Sequence, residues 1–287
     1  MAAAFKGGRA MTAQLSSATI AFDDVAPEFD ARFGKWNSVA AQRRAVRAVL
    51  LREFPRAGRI LELGGGTGED ARFLASNGFE LLLTDSSPAM VSIATAKLSH
   101  LGSSAESVAA EEMEHFAEKR LQEDGRLFDG AFSNFAPLNC VVRLRPTACG
   151  LARLLKPGAP AILVVFGTFC PAEVITELLR GRRHNALRRM KHGQRPARLS
   201  GHDFHVVYHR GRDLVEAFTP WFVLERRIGI GVTVPPSAAE PWITKHPRLL
   251  AAMEAIDRVV SSPLAGLGDH VLYQFRRTSA SVFPHWI

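Results

Sequence analysis

The chain has 287 residues, 47% of them apolar, and a formal net charge of +8 with its histidines neutral. That is enough for one large domain with an insertion or a small cap, and the composition excludes a disordered or low-complexity protein. No apolar run reaches the roughly 18 residues a membrane span requires, and Cys140, Cys149 and Cys170, with no CxxC pair, read as reduced core thiols rather than a disulfide or zinc framework.

Residues 1–20 are expected to be poorly ordered. They hold no continuous apolar stretch, so no signal peptide is read, and the three reduced thiols make the cytoplasm the expected compartment. Phe22, Val25 and Phe29, set among acids, predict a helix packing on the core, and 38–54 places Val39, Val46, Leu50 and Phe54 on one helical stripe. Residues 21–54 therefore form an N-terminal helical cover. Ile60-Leu61-Glu62-Leu63 then runs into Gly64, Gly65, Gly66 and Gly68, and a helical pattern follows from Ala71. This is the strand, tight turn and helix start of a nucleotide-binding α/β unit, in which glycines allow positive φ and bring backbone N–H groups against a ligand.

The neighbouring charges narrow the ligand. No Lys or Arg falls between Ile60 and Asp70, so a phosphate-binding P-loop is excluded. Glu69 stands where the dinucleotide fingerprint has its third glycine, and Glu69 and Asp70 at a helix start would repel a pyrophosphate. A turn bearing Glu62, Glu69 and Asp70 suits a cationic, phosphate-free nucleoside, the character of S-adenosylmethionine. Asp85 closes the next apolar strand about twenty residues on, placed to accept both ribose hydroxyls.

Leu61-Glu62-Leu63-Gly64-Gly65-Gly66-Thr67-Gly68 and Asp85-Ser86-Ser87-Pro88-Ala89-Met90 resemble the first two motifs of class I S-adenosylmethionine-dependent methyltransferases. Gly65 departs from the usual cysteine or serine. The resemblance implies an α/β fold, a doubly wound, seven-stranded, mainly parallel sheet, with Glu62, Gly64, Gly65, Gly66, Gly68, Asp85, Ser86 and Met90 holding the cofactor. It also makes Phe29-Asp30 the counterpart of a tyrosine-aspartate pair in the N-terminal cover. Glu111 or Glu112 would accept from the adenine amino group, with Met113 against the ring, although an acid-rich helix start needs no ligand. Asn134 would face the sulfonium and the methionine tail, with Phe135 and Asn139 near the transferring methyl.

Continuing along the chain, a helix over 70–77 stops at Gly78, strand two covers 79–84, and a helix covers 88–98. A weak third strand is read at 107–110, the fourth from 128, and an apolar fifth over 161–167. Residues 55–167 make the cofactor-binding core. A basic helix over 171–190, a Gly/Arg/Ser linker, an extended patch at 204–209 and a helix over 213–218 lead to strand six at 221–228. An amphipathic helix over 248–260 precedes the last strand at 271–276. These long interruptions are read as a helical cap, so 168–287 supplies cap insertions and the last two strands.

Arg180, Arg182, Arg183, Arg188, Arg189, Lys191, Arg195 and Arg198 supply most of the positive excess. Such a block is a solvated face, or a grip for nucleic acid, an acidic partner or an anionic membrane surface. Ser133-Asn134-Phe135-Ala136 lacks the Asn/Asp-Pro-Pro-Tyr/Phe run of adenine N6-methyltransferases. His115, His205 and His209 are the catalytic-base candidates, with Tyr208, Asp269 and His270 also outside the cofactor motifs. The histidines at 202, 205 and 209 have no acid or cysteine partners at ligand spacing, so no metal site is read. The expected function is methyl transfer to a small-molecule or lipophilic acceptor by in-line displacement. The alternatives are an RNA or protein methyltransferase gripping through 180–198, and a non-catalytic S-adenosylmethionine-binding module.

Overall fold

A strand with no polar face belongs at the centre of a sheet covered on both sides, and β1 (Arg59–Leu63) is buried along its whole length. The computed structural model describes residues 16–280 except 192 and 241. In chain order α1 (Ser17–Phe33) and α2 (Asn37–Glu53) precede β1, followed by α3 (Glu69–Ser76), β2 (Glu80–Asp85), α4 (Pro88–Leu98) and β3 (Ser104–Ser107). Then come α5 (Met113–Glu123), β4 (Gly130–Ser133), α6 (Leu144–Leu154), β5 (Pro160–Phe166), α7 (Pro171–Leu179) and α8 (Arg183–Ala186). The chain closes with β6 (Gln194–Leu199), β7 (His202–Val207), α9 (Gly211–Phe218), β8 (Phe222–Ile230), α10 (Pro247–Val260) and β9 (His270–Arg277).

The seven-stranded sheet runs β3-β2-β1-β4-β5-β9-β8. Its first five strands are parallel; β9 is antiparallel to both β5 and β8, so β8 runs with the first five. Side chains alternate across it. Leu61, Leu63, Phe128 and Leu163 face α5, α6 and α9, while Ile60, Phe132 and Ile162 face α2, α3 and α4. The doubly wound sheet is thus as expected. Its strand order reverses between β1 and β4, and a ligand crevice opens at such a switch point, outside the carboxyl ends of the two strands.

Several local expectations are corrected. Residues 1–15 of the stretch expected to be poorly ordered lie outside the described residues. Residues 17–20 form the first turn of α1, because the Ser16 side chain caps it by accepting from the Thr19 amide at 3.1 Å. Pro27 lies inside this helix. The third strand comes three residues earlier than read, at Ser104–Ser107. The basic helix expected over 171–190 is broken at Gly181 (φ 72°) into α7, α8 and a 3-10 turn at Arg188–Met190. The expected linker and extended patch are one antiparallel hairpin, β6 with β7, turning at Ser200 (φ 49°) and Gly201 (φ 90°).

The cover over the strand ends is shared. Phe22 and Ala21 of α1 pack with Phe204 and Val206 of the hairpin, and Val25 and Ala26 pack on Met90 of α4. The C-terminal insertion around α10 instead meets α2, through Ala41, Val234, Ile243 and Leu250.

On the other face of the sheet, α6 approaches the start of α5 through Gly150. A Cβ there would lie 2.3 Å from the backbone carbon and oxygen of Met113. Gly150→Ala is therefore expected to destabilise the fold by about 1–3 kcal/mol, read as a lowered urea midpoint with unchanged slope.

Candidate active site

The glycine turn follows β1 directly. Gly64 (φ 64°), Gly66 (φ 55°) and Gly68 (φ 81°) take left-handed conformations, which cost L-residues with a Cβ. The Gly64 and Gly65 amides donate to the Thr84 carbonyl at 2.7 and 3.2 Å, fastening the turn to β2. A Cβ on Gly64 would sit 2.2 Å from that of Pro137, whereas the space before Gly66 is open. The Gly66 amide donates to Asp85 Oδ2 at 2.8 Å and the Ser87 amide to Oδ1 at 2.9 Å. Burial raises the Asp85 carboxyl above its ordinary value.

Glu62, 2% exposed, is different. Its Oε2 has no hydrogen-bond partner among the described residues. Burial, then the negative charge of Asp70, pushes its carboxyl well above the ordinary 4.5, with Asp85 adding and Arg43 and Arg47 opposing. The other two acids of the motif are neutralised by distant cations. Asp70 accepts from Arg47 Nε at 2.7 Å and Asn134 Nδ2 at 2.8 Å, with Arg43 3.5 Å away. Glu69 meets Lys97 at 2.8 Å and Arg72 at 3.2 Å. Reading Glu69 and Asp70 as ligand-selecting charges is therefore corrected. Only Glu62 is left as an unpaired acid aimed at the turn, and it fits a cationic group.

Helix α1 is fastened over this turn. Thr19 Oγ1 donates to Ser86 Oγ at 3.1 Å, Asp23 accepts from the Ala89 amide at 3.0 Å and from Ser87 Oγ, and Asp30 accepts from Thr67 Oγ1 at 2.6 Å and Lys97 at 2.5 Å. Spaced by four and seven residues, Thr19, Asp23 and Asp30 fall on one face of the helix. Met90 lies buried beneath it. Met113 is fully buried in the core beside α6, while Glu111 and Glu112 are exposed on a 3-10 turn at Ala110–Glu112.

On the acceptor side, both amide atoms of Asn134 are engaged: Nδ2 on Asp70, and Oδ1 accepting from the Phe135 amide at 2.8 Å. Asn139, expected near the methyl, is a brace. Its Nδ2 donates to the Val207 carbonyl at 2.5 Å, and its Oδ1 accepts from the Phe166 amide at 3.0 Å. The expected catalytic histidines are placed elsewhere or occupied. His205 is exposed on β7 and His115 is exposed on α5. His209 is buried with Nε2 3.2 Å from the Leu138 carbonyl and 2.9 Å from that of Val141, so this nitrogen must donate; burial lowers its pKa.

The histidine at the strand ends is His270, weighed in the sequence but not among the three. It is 5% exposed, stacked on Phe166 (centroids 4.9 Å apart) and edge-on to Phe135 (5.8 Å). Tyr208 adds a ring 5.9 Å from Phe166, and Arg43 lies over Phe135 at 4.8 Å. Asp269 Oδ2 stands 3.4 Å from His270 Nδ1, while Asp269 Oδ1 meets Arg189 at 2.7 Å. Against the cost of burial, His270 and Arg189 hold the Asp269 carboxyl far below the carboxylate range. Among the described residues no group of three or more His, Cys, Asp or Glu is placed to hold a metal.

The family described as "Methyltransferase domain" matches residues 60–158, from β1 through the glycine turn to the turn before β5. Over that span the chain is similar to methyltransferase domains. A methyltransferase domain over 60–158 makes methyl transfer from S-adenosylmethionine the expected chemistry. Solved structures agree in fold. A methyltransferase from Mesorhizobium loti is 19% identical with a TM-score of 0.53, over 84% of this chain and 100% of that one. The CcbJ methyltransferase of Streptomyces caelestis is 14% identical with a TM-score of 0.56, over 93% and 100%. The 1,6-didemethyltoxoflavin-N1-methyltransferase of Burkholderia thailandensis, with its heterocycle and S-adenosylhomocysteine bound, is 18% identical with a TM-score of 0.52, over 92% and 89%. No curated protein sequence matches the chain.

The raised pKa of Glu62 sets a sign. The folded protein binds its proton more tightly than the unfolded chain, so its contribution is fully present below the ordinary 4.5 and is lost as pH rises through the folded value. Glu62→Gln is expected to raise the melting temperature of the cofactor-free protein at pH 8, with a smaller gain at pH 5. It should also weaken S-adenosylhomocysteine by about tenfold or more, through loss of a charge-assisted bond. Thermal melts at the two pH values and calorimetry check both.

Proposed function

We propose that this protein transfers the methyl group of S-adenosylmethionine to a small-molecule or lipophilic acceptor by in-line displacement, in the cytoplasm. The observation that carries the acceptor class is the covered aromatic rim. Helix α1 and the β6–β7 hairpin close over the strand ends, and Phe135, Phe166, Tyr208 and His270 line the side beyond the glycine turn. The bound heterocycle of the Burkholderia thailandensis enzyme supports the same class.

Bound S-adenosylmethionine supplies an electrophilic methyl on a sulfonium. The remaining work is alignment and exclusion of water, and alignment alone supplies much of the acceleration. Glu62 would accept from the ammonium, the amides of Gly64, Gly65, Gly66 and Gly68 would line the methionine and ribose, and Asp85 with Ser86 would take the ribose hydroxyls. Glu111 and Glu112 would border the adenine, with Met90 and Met113, both buried, backing that wall, and Asn134 would hold the turn against the methionine tail. The cytoplasmic assignment rests on three free thiols. No helix among the described residues is long and apolar enough to cross a membrane.

Part of the basic stretch is committed within the fold rather than free for a nucleic acid. Arg188 pairs with Glu173 at 2.9 Å; Arg189 is buried on Glu173 and Asp269; Arg180 donates to the Ala238 carbonyl at 2.5 Å. The test is methyl uptake from labelled S-adenosylmethionine into small-molecule and lipid extracts. Asp85→Ala and Gly66→Val should each abolish uptake and cofactor binding while the circular dichroism is unchanged. Arg182→Glu with Arg183→Glu should leave uptake within twofold at any salt concentration. Label confined to RNA or protein, and lost on that charge reversal, would overturn the proposal.

A further inference from the structure

We infer that His270 is the general base of this active site, positioned by Asp269, and that the acceptor is a planar aromatic molecule bearing a mildly acidic hydroxyl. The inference rests on the methyl-transfer reading above and specifies its acceptor. It starts from a cost. A histidine more than nine-tenths buried whose Nδ1 has no hydrogen bond of good geometry is a destabilising feature unless it serves a purpose. Nδ1 faces Asp269 at 3.4 Å, and ring geometry puts Nε2 on the opposite side of the imidazole. A carboxylate that orients one ring nitrogen and stabilises the imidazolium leaves the other to take a proton.

Position supports the role. Pro137 packs against Gly64, which binds the strand-four exit to the cofactor turn, and Phe135 two residues earlier meets the edge of His270. The imidazole is thus one ring removed from the turn, at the entrance of β9 and at the carboxyl ends of the parallel strands. Asp269 is itself fixed, by Arg189 at 2.7 Å and by Gln42 at 3.2 Å. The charged and titratable groups facing His270 are Asp269, Arg189 and Glu173 behind it, and Tyr208 and Arg43 beside the neighbouring rings.

The chemistry of the walls selects the acceptor. His270 stacks on Phe166, whose ring also carries Arg189 at 5.2 Å, and stands across Phe135, so the imidazole sits in an aromatic wall, surroundings that favour a flat aromatic acceptor. An imidazole matches a hydroxyl that is acidic enough to share its proton, as on an aromatic ring, better than an aliphatic alcohol. In the reaction Nε2 takes the hydroxyl proton as the acceptor oxygen forms its bond to the methyl carbon. The carbon–sulfur bond breaks, its electron pair stays on sulfur and cancels the sulfonium charge, and the proton passes from His270 to solvent.

The test uses 4-nitrophenol, whose ionised form is coloured, with the full chain saturated by S-adenosylhomocysteine. The bound probe is expected to ionise about one pH unit below the free probe, a tenfold gain in phenolate at a given pH. H270Q should abolish that shift and D269N should reduce it, while S-adenosylhomocysteine affinity stays within twofold in both. In the wild-type protein the His270 ring resonance should move as the probe binds. An unmoved resonance, a shift that survives in H270Q, or no binding of the probe to the S-adenosylhomocysteine complex overturns the inference. Failure to bind S-adenosylhomocysteine at all would instead overturn the cofactor reading on which it rests.

Discussion

A buried carboxylate must be paired or it will not stay ionised, and in this protein the Asp70 carboxylate organises the site through that requirement. Its three partners come from two elements: Arg47 and Arg43 from α2, and Asn134 from the exit of β4. Asn134 then holds the Phe135 amide in a left-handed backbone turn, and Arg43 lies over the Phe135 ring. One charge on the first turn of α3 therefore ties together the glycine turn, the helix behind it and the aromatic edge of the acceptor side. The pairing also separates the acids of the motif into two kinds. Glu69 and Asp70 are structural, and Glu62 is left with an unanswered oxygen.

What could be read from the residues follows from what is local. Ile60 to Gly68 encodes a strand and a left-handed turn within nine positions, Asp85 ends an apolar run, and 161–166 is apolar throughout. Backbone and burial physics act on such segments directly, and the sheet, its order and the cofactor class follow. What was missed depends on partners far apart in the chain. The neutralising cations at Arg43, Arg47 and Lys97 lie outside the motif they serve. The β6–β7 hairpin carries Pro196 and the exposed Arg198, and so resembles a linker until β7 packs against α1.

The histidines illustrate the same limit. Spacing made His205 and His209 as plausible as His270, because nothing near them in the sequence records solvent exposure or a pair of waiting carbonyls. Two carbonyl groups occupy His209, and solvent surrounds His205. For His270 the deciding neighbours are Phe135 and Phe166, brought to it by strand pairing across more than a hundred residues. The positive stretch shows the reverse case. A run that looked available for partners has its buried member, Arg189, holding Asp269 in place.

Helix α1 is fastened at Thr19 and Asp23 near the Asp85 end of the crevice, and at Asp30 near the glycine turn. Pro27 lies between these anchor points. Lacking an N–H, it cannot bond to the carbonyl of Asp23 four residues back, and it weakens the rod at that point. One rung of the helix's own ladder is therefore missing between the two sets of anchors, and the side chains of Thr19, Asp23 and Asp30 hold each half of the cover in place separately.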